Sequence, residues 1–100
     1  MATAGEIRYG VIGTGMMGIE HIENIRALDG ATITAVSDPN ENSRATGAQA
    51  AGHQVAVSDD HRDLLSSGLC DAVVVASPNF THVDVVGDVL ATGLHALVEK

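Results

Sequence analysis

One hundred residues suffice for one domain, which at this length buries roughly 60 to 70% of the surface its unfolded chain exposes. Hydrophobic residues make up 45% and charged residues 18%, a globular composition that excludes disorder. Thirteen Asp and Glu against five Lys and Arg give a formal net charge of −8, which would repel polyanions, so neither nucleic acid nor a membrane is expected as a partner.

Residues 1–6 lack the basic and apolar regions of a secretory signal, and no apolar run reaches membrane-spanning length. Cys70 is the single cysteine, so no intrachain disulfide can form, and beside Asp71 it reads as a small buried packing residue. The expected location is cytoplasmic. Only Tyr9 and Phe80 are aromatic; the abundance of Val, Ala, Ile and Leu suits parallel strands covered by helices on both faces.

Ile7 to Ile12 is a β-branched run that enters glycines, the pattern of a short buried strand. Beyond Gly18, Ile19, Ile22, Ile25 and Leu28 recur on one helical face until Gly30 ends the pattern. Ala31 to Ser37 predicts a second strand, closed by the turn Asp38-Pro39-Asn40, and residues 41 to 51 suit a helix of small side chains. Gln54 to Val57 predicts a third strand, with Asp59 or Asp60 capping a short helix through Leu65. Asp71 to Ala76, with three consecutive valines, predicts a fourth strand. A helix from about Thr81 to Ala91 follows, stopped by Gly93, and Leu94 to Glu99 is the fifth strand. Right-handed parallel crossovers then give a doubly wound α/β sheet, a Rossmann fold of expected order 3-2-1-4-5. Its ligand edge carries Gly13, Asp38, Ser77 and Glu99.

The turn Gly13-Thr14-Gly15-Met16-Met17-Gly18 leaves a strand and opens a helix. Gly13 permits the tight turn, Gly15 admits a pyrophosphate against the backbone, and Gly18 lets helix and strand pack closely. Asp38, twenty residues on, can accept both adenine-ribose hydroxyl protons, and its charge disfavours a 2′-phosphate. NAD is therefore expected rather than NADP. Arg44 could reach a phosphate, but its place inside the next helix suits a surface role. The five histidines show no metal-ligand spacing, and no metal is expected. His21 and His95 read as partly buried packing residues.

Ser77-Pro78-Asn79-Phe80-Thr81-His82 and the closing Glu99-Lys100, together with the glycine turn and His21, resemble the Gfo/Idh/MocA oxidoreductases, the family of glucose-fructose oxidoreductase and myo-inositol dehydrogenase. The resemblance runs from Ile7 to Lys100, with Ser77 where the family more often has threonine. It implies that Ser77, Pro78 and Asn79 line the nicotinamide-side ribose, that His82 steadies their loop, and that Glu99 and Lys100 sit by the nicotinamide. Lys100 would contact the reacting hydroxyl as the catalytic residue. The implied reaction is hydride transfer between the cofactor and a secondary alcohol of a sugar, inositol or related polyol. Residues 1–100 would then form an NAD(P)-binding domain truncated at its C-terminal end, with the substrate domain absent. Such a piece is expected to be inactive alone and homo-oligomeric when full length. The competing readings are a non-catalytic NAD sensor and a methyltransferase; the third glycine and Glu99-Lys100 oppose the latter.

Overall fold

A computed structural model describes residues 6–78 and 81–99, and of His82 the backbone alone. Two strands fall where the β-branched runs predict them: β1 is Ile7–Ile12 and β2 is Ala31–Ser37. Between them α1, Met16–Arg26, follows the apolar spacing, burying Ile22 and Ile25. It stops sooner than the pattern suggests. Leu28 lies beyond its last turn and is exposed, because the chain is already turning toward Gly30, whose φ of 80° a side chain would resist.

The second half of the chain follows the same alternation. Asn40 caps α2, Glu41–Ala50, by accepting the Ser43 N–H, and Asp60 caps α3, His61–Ser66, by accepting the Arg62 N–H. Between these helices β3 is Ala56–Ser58, later and shorter than Gln54–Val57, since only those three residues pair with β2. The three valines form β4, Ala72–Val75, whose four residues are all buried. Helix α4, His82–Thr92, ends at Gly93 in the left-handed conformation, and β5 is His95–Val98, exposed throughout. His95 is therefore not the partly buried packing residue its position suggested.

All neighbours pair in parallel in the order β3-β2-β1-β4-β5. The sheet has a core on each face. On one side Val11, Ile33, Val36 and Val74 meet Ile22 and Ile25 of α1; on the other Ile12, Val73 and Val75 meet Leu64 of α3 and Val85 and Val89 of α4. Each such side chain contributes about 1.5 to 3 kcal/mol through burial.

A register shift between Tyr9 and Gly10 leaves Thr34 of β2 without a partner residue on β1. Its hydroxyl instead donates to the Leu69 carbonyl at 2.8 Å. Gly10 gives room at the shift: an added Cβ would lie 2.7 Å from the Cys70 sulfur and 2.8 Å from Leu64, so those side chains would have to move. Cys70 is buried as expected, and burial pushes its thiol pKa up.

Candidate functional site

One extra backbone bond beyond four of the five strands aligns the carboxyl edge of the sheet. Gly13 donates to the Ser37 carbonyl, Asp38 to Ser58, Ala76 to Ile12 and Glu99 to Val75. The turn from Gly13 to Gly18, the Asp38 loop, Ser77 and Glu99 thereby share one edge, as parallel connectivity requires.

Two glycines of the turn are sterically obligatory and one is not. At Gly13, with φ 92°, a Cβ would lie 2.5 Å from the Ser77 nitrogen, and at Gly18 it would run into the Gly13 carbonyl oxygen. At Gly15 no atom of the described residues lies within 4 Å of an added Cβ. That glycine therefore keeps clear an open space over the start of α1. Gly15 is itself the N-cap, provides no side-chain cap, and is followed by no acidic residue in the first turn. The leading N–H groups of α1 and its positive dipole end consequently face this space. The residues present fit a dinucleotide pyrophosphate.

Thr14, only 2% exposed, anchors the turn from its other side. Its N–H donates to Asp38 Oδ2 at 2.8 Å and its hydroxyl donates to the Ser43 carbonyl of α2 at 2.7 Å. Asp38 Oδ1 accepts the Asn40 N–H at 2.8 Å, so the carboxylate both holds the glycine turn and shapes its own loop. An ionised carboxylate offers about four acceptor positions, and these two bonds leave capacity for ribose hydroxyls. Arg44 does more than decorate the surface: Nη1 donates to the Asp38 carbonyl at 3.0 Å, steadying the same loop from inside α2.

A groove of about 650 Å³ runs from Gly15 and Met16 between α1 and α2, past Glu20, Glu23, Asn42 and Thr46. Its two glutamates disfavour phosphate there, which leaves the space above Gly15 as the anion position. Met16 is 87% exposed and Met17 43%, an apolar shoulder beside the turn.

On the opposite flank the Thr81 hydroxyl lies 2.8 Å from the Ser77 hydroxyl and 2.7 Å from the Pro78 carbonyl oxygen. Thr81 thus clamps the loop that His82 was expected to steady; the His82 side chain, Asn79 and Lys100 lie outside the described residues. Glu99 meets His21 of α1, Nε2 to Oε2 at 2.5 Å, a hydrogen bond bringing helix and final strand together. Among the described residues no group of three or more His, Cys, Asp or Glu could hold a metal ion. None of their helices is long and apolar enough to cross a membrane.

Sequence reasoning missed four of these features. Thr81, Arg44 and the His21–Glu99 pair depend on placement across the fold. Gly47 in α2 left a signal, a glycine inside a helix: its absent Cβ would sit 2.5 Å from Thr14 Cγ2, so it admits the side chain that anchors the turn.

Fold, glycine turn and Asp38 define a dinucleotide-binding α/β domain. Comparison with known proteins narrows the class: residues 7–100 match the Gfo/Idh/MocA model, described as an oxidoreductase family with an NAD-binding Rossmann fold, and the chain belongs to that family. Inositol 2-dehydrogenase of Leifsonia xyli is 40% identical over 101 residues, spanning 100% of this chain and 29% of that protein. The rhizopine catabolism protein MocA of Rhizobium meliloti is 37% identical over 93 residues, 93% of this chain and 28% of its own. Among solved structures, myo-inositol dehydrogenase from Lactobacillus casei in complex with NAD(H) and myo-inositol superposes with a TM-score of 0.90 at 32% identity. That match covers 95% of this chain and 28% of the other. The chain thus spans less than a third of the length of these relatives.

Proposed function

We propose that residues 1–100 are the cofactor-binding part of an NAD-dependent dehydrogenase that exchanges hydride with a secondary alcohol of inositol or a related polyol. The observation that carries this reading is the glycine turn pinned to the Asp38 carboxylate, with open space above Gly15 for the pyrophosphate. The substrate class rests on the names of the relatives, inositol 2-dehydrogenases and an inositol-bound structure. The cofactor supplies the hydride, and the protein supplies orientation and electrostatics. Ser77, Pro78, Asn79 and His82 border the nicotinamide-side ribose in this reading, with Glu99 beside them. Lys100 is the catalytic group, its ammonium suited to a developing alkoxide. The remaining walls of the active site come from a substrate domain outside this chain, so residues 1–100 bind cofactor without turning over a polyol.

NAD is the cofactor we propose, and NADP the disfavoured one. Asp38 presents negative charge where a 2′-phosphate would lie, while the Arg44 guanidinium is engaged with the Asp38 carbonyl. Titration with NADH and NADPH tests this, the expected outcome being tighter binding of NADH by about tenfold or more, the scale of hydrogen bonds to a charged acceptor. Equal affinities would overturn the NAD assignment, and no binding of either would overturn the cofactor role.

A further inference from the structure

His21 stands on the sixth residue of α1, one turn beyond the glycines, yet its ring reaches the far strand. Nε2 lies 2.5 Å from Glu99 Oε2, with the two side chains 19% and 29% exposed. An ionised carboxylate only accepts, so Nε2 carries the proton and donates it. Glu99 is held a second time by its backbone, whose N–H donates to the Val75 carbonyl at 2.8 Å. Two bonds thus fix the residue that directly precedes Lys100, one to the neighbouring strand β4 and one to α1.

We infer that His21 is a positioning residue, which ties the helix that receives the pyrophosphate to the strand end beside the nicotinamide and so sets the spacing of the two subsites. This rests on the dinucleotide reading above. A dinucleotide has a covalently limited span, and binding both halves at once requires the protein's subsites to keep a matching separation. Helix α1 packs on β1, β2 and β4. Glu99 closes the outer strand β5, and the His21 side chain carries the connection from the helix across to it. A partly buried, charge-assisted bond suits that task better than apolar contact, because it has direction as well as strength.

The test separates the cofactor's two ends by comparing NADH with ADP-ribose, which lacks nicotinamide. His21→Asn is too short to reach Glu99, whereas His21→Gln keeps a donor near the position of Nε2. His21→Asn is expected to weaken NADH binding about five- to tenfold while ADP-ribose affinity stays within about twofold, and His21→Gln to restore most of the loss. Equal losses for both ligands would make His21 a packing residue of α1, and no loss would remove its role; either overturns the inference. Should His21→Asn fail to fold, His21→Leu, which retains side-chain bulk, gives the same ratio with the same meaning. Failure of the unmodified protein to bind either ligand would instead overturn the dinucleotide reading.

Discussion

The two ends of β1 are built from similar materials to opposite purposes. At its start Arg8 and Asp71 close on one another: the Arg8 backbone N–H and Nε donate to Asp71 Oδ2 at 2.9 and 3.2 Å, and Nη2 to Oδ1 at 2.9 Å. Arg8 thereby holds the Asp71 carboxyl down at a pKa of about 2. At its finish Asp38 also takes backbone N–H groups, but the neighbouring helix start has no capping side chain. A polar end that satisfies itself is structural, and one that leaves donors pointed at open space is prepared for a ligand.

The largest expected effect is a paired one at the open end. Gly18→Ala forces a methyl group onto the Gly13 carbonyl, backbone against backbone, with no flexible side chain to yield. A stability loss of about 3 kcal/mol is expected in urea unfolding. Gly15→Val, entering open space, should leave the unfolding midpoint nearly unchanged while abolishing NADH binding in titration. Retained binding by Gly15→Val would erase the contrast between the two ends.

An intermediate effect is expected at Gly47. Ala normally stabilises a helix interior by about 1 kcal/mol over Gly, but here the methyl group would displace Thr14, so thermal unfolding of Gly47→Ala should show a net loss of about 1 to 2 kcal/mol. NADH affinity should fall with it, because Thr14 anchors the turn.

The smallest effect belongs to the closed end. A folded-state pKa of about 2, below the 3.8 of an unperturbed aspartate, means that Asp71 stabilises the fold above about pH 4. That contribution disappears as pH falls through about 2. Acid titration of stability should therefore lose a small step between pH 4 and 2 in Asp71→Asn, with cofactor affinity at neutral pH unaltered. A drop in NADH binding would show that the two ends communicate.

Much of this design is legible in the chain. The β-branched runs gave β1 and β2 their bounds, and the places of the glycine turn and Asp38 after those strands put them on one edge of the sheet, where Asp38 holds the Thr14 N–H. β3 was harder, since Val55 packs on the core without joining the strand, so an apolar run and a paired run do not coincide. Leu28 kept the helical period after the backbone had left the helix. The His21–Glu99 pair spans 78 positions, and nothing local to either residue announces the other.

The register shift between Tyr9 and Gly10 acts as a phase setter for β2. Ile33 and Val36 point into the same core although three positions separate them, because Thr34 occupies an additional place in the strand. Every residue after it is turned over relative to a regular alternation, Ser37 at the strand end included. The chain between Gly30 and Asp38 therefore carries one residue more than the register with β1 requires. Removing Thr34 would restore simple alternation with Val36 and Ser37 on their present faces and Asp38 still beside the Thr14 N–H, at the cost of the hydroxyl bond to the Leu69 carbonyl.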